Sequence, residues 1–290
     1  MKHNNLCILK SHKTLKEFLN KELLFSSNLI KKTITNKKFL QKSVAKREEI
    51  TIPMELLNSN QVNPDYDGIE IEVIEETDDF IVLNKPEGVH GHPLDYSENG
   101  TVLNFVRSKF VLEDLGLSSI EKERGLLYRL DELTSGVLIY VKNPSLHEKL
   151  REDFSEVMKT KSYLAIVDGK LEIDSEVKNY LKGSGEKGSQ VIVDDSGVRC
   201  ISHIKSLKYN DESDTTVVQV ALMTGFRHQI RVQLSHLGNP IHGDTLYGGK
   251  SSDRMYLHAF EYCLEGQCWR ADKNLLFCNF LNLDSLSNML

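Results

Sequence analysis

No apolar run in this 290-residue chain approaches the roughly 18 to 20 residues that a membrane-spanning helix needs. The opening MKHNNLCILKSHKTLKEF lacks the apolar core and small-residue cleavage site of a signal peptide. The expectation is a cytoplasmic protein with no membrane partner. Cysteine is scarce: Cys7, Cys200, Cys263, Cys268 and Cys278 are odd in number and form no C-x-x-C pair, which argues against a secreted disulfide framework and for reduced thiols. Cys263, Cys268 and Cys278 with His258 do not follow the usual zinc-knuckle spacing, and no metal is expected. A Walker loop, a nucleophile elbow and an H-E-x-x-H pair are all missing. What remains is a 40% hydrophobic fraction, enough to fill the core of one large domain or of a medium and a small one.

The net charge of −6 hides an asymmetry. Residues 1–60 carry twelve Lys/Arg against five Asp/Glu, a net of +7, which leaves 24 against 37, or −13, for the rest. In the basic part Leu15, Phe18 and Leu19 repeat at helical spacing, as do Leu29, Ile30 and Ile34 after a Ser26-Ser27 cap candidate. Two short helices followed by small strands fit this stretch. Lys31, Lys32, Lys37 and Lys38 bracket the end of the second helix, where they are either a solvated face or a phosphate-binding one.

Turn and breaker residues in NSNQVNPDYDG place a linker at residues 58–68, between a small module at 1–57 and a second domain at 69–290. In that domain GVLIYVKN, KSYLAIVDG and TTVVQVALM read as strands. TVLNFVRSKF reads as a helix, and NPSLHEKLREDFSEVMK as another, capped by Ser145. Strands and helices without strict alternation favour an α+β fold. Gly183, Gly185 and Gly188 have G-x-G-x-x-G spacing, but a strand and a turn follow them where a dinucleotide site needs a helix. They read as a flexible loop, with no nucleotide cofactor.

Two segments carry candidate chemistry. In RLDELTSG, Asp131 lies in a short turn, where it serves either as a local cap with Thr134 or as a functional acid. In HQIRVQL, strand alternation places Gln229, Arg231 and Gln233 on one face and Ile230, Val232 and Leu234 on the other, and it sets Arg227 on the face opposite Phe226. An arginine held mid-element wants a carboxylate. If Asp131 supplies it, the pair favours the charged form of the acid, which can then act as nucleophile or base. A salt bridge that only pins two loops explains the same residues.

Five segments in order resemble the RluA-type pseudouridine synthases over most of residues 69–262. VIEETDDFIVLNKPEGVHGHP is similar to the opening motif, with Lys85 and Pro86 in place. YRLDELTSGVLIY is similar to H-R-L-D-x-x-T-S-G, KSYLAIVDG and TGFRHQIRVQLSHLGNPIHGD to the next two motifs, and YLHAFEY to the Leu-His-Ala strand at Leu257, His258 and Ala259. The resemblance implies a pseudouridine synthase fold with a mixed, largely antiparallel central sheet flanked by helices. It implies Asp131 as catalytic aspartate, Arg129 as a contact to the displaced RNA backbone, Tyr163 stacking on the target base and Arg231 pairing with the aspartate. Residues 13–52 resemble the small α/β RNA-binding module called alpha-L, which makes Lys31, Lys32, Lys37 and Lys38 an RNA-contact surface.

The chain departs from the family pattern at Tyr128, where His is usual, and at Phe226, where Arg is usual and Arg227 follows one place later as a candidate RNA contact. It also lacks the His-Pro turn after Cys268. His90-Gly91-His92 reads as loop sequence after the first motif. The implied reaction turns uridine into pseudouridine without cofactor, with the base flipped out of its stack. Its RNA is expected to be ribosomal, and the enzyme a monomer with no obligate protein partner. The alternatives are a non-catalytic RNA-binding or ribosome-assembly protein that retains the fold, a synthase acting on transfer RNA, and a metal-dependent phosphodiesterase built on the histidines.

Overall fold

The computed structural model describes residues 3–23, 25–57, 65–94, 97–110, 125–152, 158–186, 189–264, 266–272 and 277–278. Their contacts group into two compact units. One combines residues up to 69 with 92–110, and the other combines 70–91 with the described residues from 125 onward. Residues 58–64 of the expected linker lie outside the described residues, as do Lys187 and Gly188 of the glycine-rich loop.

In the first unit, strand β1 (His3–Cys7) pairs antiparallel with β2 (Glu49–Pro53), and helices α1 (Leu15–Lys21), α2 (Ser27–Thr33) and α3 (Lys37–Gln41) lie between them in sequence. Helix α4 (Met54–Leu57) follows β2. A strand thus precedes the helices, and a third helix holds Lys37 and Lys38, where the sequence suggested two helices and then strands. The starts of α1, α2 and α3 are each capped by a side-chain oxygen: Thr14 accepts from Glu17 N, Ser26 from Leu29 N and Asn36 from Phe39 N. Leu15, Leu19, Ile30, Leu40 and Ile52 turn inward to one small core. Helix α5 (Val102–Lys109) starts at a Thr101 cap and belongs to this unit.

The second unit is built on a ten-stranded sheet in the order β3-β4-β5-β11-β6-β10-β9-β7-β8, with β12 paired to β11. The strands are β3 (Glu72–Glu76), β4 (Phe80–Lys85), β5 (Ser135–Val141), β6 (Met158–Asp168), β7 (Asp174–Ser184), β8 (Gln190–Val193), β9 (Val198–Asn210), β10 (Thr215–Leu222), β11 (Leu257–Leu264) and β12 (Gln267–Arg270). Only β5 with β11 is parallel among these pairings, so the sheet is mixed and largely antiparallel. The expected α+β class is the observed one.

Alternation along the strands divides the apolar side chains between two faces. Val137, Ile139, Tyr163, Ala165, Val218, Val220 and Ala259 join one core, under Ile230 and Leu234 of helix α7 (Gln229–His236). Leu164, Ile166, Phe260 and Phe277 form another. Every residue of β5 is buried, as its apolar run SGVLIYV requires. Helix α6 (Pro144–Glu152) is capped by Asn143, whose Oδ1 accepts from Ser145 N at 2.9 Å and Leu146 N at 3.2 Å. Ser145 is therefore inside the helix and not its cap, because Pro144 takes the first helical position, where its missing N–H costs nothing. Met158 and Lys159, expected at the end of that helix, open strand β6 instead.

Two sequence expectations are corrected here. HQIRVQL runs into the helix α7 and is not a strand, so Arg227 precedes the helix and is not set on a strand face opposite Phe226. Its polar residues misled the period: Gln229 and Gln233, one turn apart, bond Ser202 on β9 beneath the helix. The thiols of Cys263 and Cys268 are not reduced but joined, because the β11–β12 register sets the two residues directly opposite, with Cα atoms 4.1 Å apart. Among the described residues no cluster of three metal-capable side chains occurs, and no helix is long and apolar enough to cross a membrane.

Candidate active site

Asp131 opens the turn that enters β5, with Thr134 N bonded to Asp131 O at 3.1 Å. Glycine is required just after it: Gly136 has φ +115°, and a Cβ there would lie 2.2 Å from Ala259 O on the parallel strand β11. The turn is fastened from below by Lys85. Its ammonium, fully buried, donates to the carbonyls of Pro86 at 2.8 Å, Val89 at 2.7 Å and Glu132 at 2.8 Å. Burial pushes the Lys85 pKa down to about 7, against the opposing pull of Asp131.

The Asp131 carboxylate, a quarter exposed, accepts from Arg231 Nη1 at 3.0 Å. The other edge of the same guanidinium grips Asp244 through Nε at 2.7 Å and Nη2 at 2.8 Å. One buried arginine thus holds two acids in a fork geometry suited to bidentate pairing, and its plane lies 5.0 Å from the Tyr247 ring centre. His228 Nε2 lies 3.6 Å from Asp131, while its Nδ1 meets the Tyr247 hydroxyl at 2.7 Å. Burial lowers the His228 pKa, with Asp131 pulling the other way. His228 precedes α7 in the left-handed region, at φ 56°.

Three tyrosines line the same face of the sheet. Tyr163 on β6 bonds the hydroxyl of Tyr262 on β11, and Tyr262 stacks on Tyr128 with ring centres 4.5 Å apart and planes 3° from parallel. The Tyr128 hydroxyl donates to Val137 O at 3.0 Å. Burial holds the Tyr163 phenol well above its usual pKa; its bond to Tyr262 works against this and the charge of Asp131 adds to it.

Behind the turn, His258 is fully buried, with Nε2 2.7 Å from Ala271 O and Nδ1 2.8 Å from Ser135 Oγ. A carbonyl only accepts, so Nε2 carries the proton and Nδ1 accepts from Ser135, which in turn accepts from Arg254 Nη2 at 2.9 Å. Burial lowers the His258 pKa from 6.5 to about 4. Between those values the unfolded chain binds a proton that the folded one refuses, so stability falls as pH drops. About 3 kcal/mol is expected to be lost between roughly pH 6.5 and 4. Chemical denaturation across that range checks this, and His258→Gln should flatten the slope.

Of the residues singled out from sequence, Asp131 and Arg231 are in contact, and Tyr163 lies close enough to feel the Asp131 charge. Arg129 and Arg227 are exposed, with Arg227 Nη2 3.4 Å from Gln190 O. Phe226 packs against the cluster of Leu181, Val191, Cys200 and Val232, which accounts for an apolar residue there. Lys31, Lys32, Lys37 and Lys38 are exposed on the first unit. The sequence reading missed Asp244, His228 and Tyr262. A helical period would have exposed His228, since it stands three residues before Arg231 and shares its face.

A buried arginine holding a carboxylate at a strand-entry turn, beside tyrosines on a mixed sheet, is the candidate site, and its acid and arginine lie in segments that resemble the pseudouridine synthases. The family model described as RNA pseudouridylate synthase matches residues 79–236. A Helicobacter pylori RNA pseudouridine synthase is 31% identical over 93% of this chain and 86% of its own, and Bacillus subtilis YhcT is 30% identical over 74% and 70%. The solved human RNA pseudouridylate synthase domain-containing protein 1 superposes with a TM-score of 0.57 at 24% identity, covering 73% of this chain and 86% of its own. That likeness concerns the fold. The chain belongs to the RNA pseudouridine synthase family, and it is an isomerase whose substrate is RNA.

Proposed function

We propose that this enzyme isomerises uridines of ribosomal RNA with Asp131 as its catalytic carboxylate. The observation that carries the mechanism is the Arg231 guanidinium, which presents Asp131 at 3.0 Å while its other edge is anchored on Asp244. An acid so held is aimed and still a quarter exposed, as a group that must reach a ribose requires. The choice of RNA rests on relatives such as the ribosomal large subunit pseudouridine synthase D of Pseudomonas aeruginosa, 31% identical over 63% of this chain and 55% of its own.

In the reaction the bond from ribose C1′ to ring N1 breaks, the uracil turns, and C1′ joins C5, which gives up its proton. Asp131 either attacks C1′ or removes the neighbouring C2′ proton and later returns it. The target uridine is flipped out at a cost of a few kcal/mol. Stacking on Tyr163 repays about 1 to 3 kcal/mol of that. Arg129 and Arg227 meet the displaced backbone, and the basic module anchors the RNA. The enzyme works in the cytoplasm as a monomer.

Because C5 loses its hydrogen, tritium release from 5-tritiated uridine transcripts counts turnovers directly. Release from ribosomal RNA and none from transfer RNA is the expected result. Release from transfer RNA alone replaces the substrate assignment, and release from neither favours the non-catalytic alternative. The lysines have their own test. Replacing Lys31, Lys32, Lys37 and Lys38 with Gln is expected to raise KM, leave kcat near the wild-type value, and lower the slope of log affinity against log salt. Each lost phosphate contact removes about 0.7 to 0.9 from that slope. Filter binding between 50 and 200 mM salt reads it, and an unchanged slope removes the lysines from the RNA surface.

A further inference from the structure

We propose that Tyr262, through its hydroxyl, is a positioning residue that fixes the Tyr163 ring relative to Asp131. The inference rests on the reading of Tyr163 as the base-stacking residue.

Sheet order sets up the problem. Asp131 enters the sheet through β5 and Tyr163 lies on β6, with β11 between them. Gly136, Ala259 and Tyr163 are lateral neighbours across those strands. The two residues between which a nucleotide would sit therefore belong to strands that do not touch each other at this level, and β11 is what sets their separation.

The β11 strand carries a local irregularity at that place. Its register on β6 runs Ala259 to Tyr163 and then Glu261 to Ser162, leaving Phe260 as an extra residue. Without it, alternation would put Tyr262 on the face opposite Ala259. With it, Leu257, Ala259, Tyr262 and Leu264 all join the core on the Tyr163 side, while Phe260 joins the other core. Bulges beside active sites re-aim side chains in this way. The re-aimed side chain is Tyr262.

Once turned, Tyr262 is held on both sides. Its ring stacks in parallel on Tyr128, three residues before Asp131, and the Tyr128 hydroxyl is tied to Val137 O on β5. Its hydroxyl bonds that of Tyr163, with the rings edge to face at 5.9 Å. A Tyr128–Tyr262–Tyr163 chain thus links the segment that leads into Asp131 and the β5 strand after it to the ring that would receive the base. Tyr128, which stands where the family usually has His, is one end of this chain.

The test uses full-length protein and compares Tyr262→Phe, Tyr163→Phe, their double variant and Tyr163→Leu by single-turnover tritium release. Tyr262→Phe keeps the ring and its stack, so its melting temperature should stay within a few degrees of wild type. Its kcat should fall about tenfold with KM changed less than twofold. Tyr163→Phe breaks the same bond from the other side, so it and the double variant should match Tyr262→Phe within a factor of two. A wild-type kcat for Tyr262→Phe, or losses that multiply in the double variant, overturns the proposal. If Tyr163→Leu also retains wild-type kcat, the base-stacking reading fails with it. If Tyr163→Leu is inactive while Tyr262→Phe is normal, only the role of Tyr262 falls. Tyr163→Phe, which removes the same bond, keeps the test decisive should Tyr262→Phe fold poorly.

Discussion

Replacing Asp131 with Asn is expected to lower turnover by at least about 10⁴-fold, the scale seen when a covalent catalyst loses its nucleophile or base. Asparagine keeps the size of the side chain and can still accept from Arg231 through its amide oxygen. It supplies neither a charge to stabilise a positive ribose nor an oxygen basic enough to take a proton or form an ester. RNA affinity should change little and is expected to rise slightly, because removing a negative charge that is a quarter exposed reduces repulsion of the phosphates. Single-turnover tritium release and filter binding separate the two quantities. Parallel losses of binding and turnover would mean that Asp131 only holds the two loops together, the alternative that the sequence leaves open.

Arg231→Gln is expected to cost both stability and activity. The side chain is 5% exposed and pairs with both Asp131 and Asp244, the latter only 1% exposed. Removing the cation leaves a buried carboxylate without compensation, a defect that costs about 3 to 5 kcal/mol. For a chain of this size that corresponds to a fall in melting temperature of about 10 °C. Adding Asp244→Asn removes the stranded charge, so the double variant should recover part of the lost stability. It should not recover turnover, since nothing then orients Asp131. Thermal melts and tritium release on the single and double variants check both statements. Recovery of activity along with stability would make Arg231 a scaffold residue only.

The candidate site was legible where its residues lie in contiguous motifs and illegible where packing decides. RLDELTSG showed an acid in a turn before an apolar strand, and Gly136 closes that motif because a Cβ there would meet Ala259 O at 2.2 Å. The fold class followed from strands such as GVLIYVKN, whose unbroken apolar run marks a strand buried on both faces. HQIRVQL was misread because an alternating pattern of Gln, Arg and Gln mimics a strand. In the helix those same residues divide between a polar network with Ser202 on β9 and the acids, and only the partners on other elements reveal which period holds. Asp244 and Tyr262 were invisible for the same reason. Asp244 earns its place by pairing with an arginine thirteen residues earlier, and Tyr262 faces Tyr163 only because Phe260 is an extra residue in the register. The Cys263–Cys268 pair likewise depends on strand register, not on spacing.

The most direct test of the central claim is a pseudouridine map, by carbodiimide modification and primer extension, of ribosomal and transfer RNA from cells lacking this protein, complemented with wild type or with Asp131→Asn. The predicted result is a ribosomal site that vanishes in the deletion and returns with wild type alone. A site restored equally by Asp131→Asn, or a map unchanged by the deletion, would contradict the account.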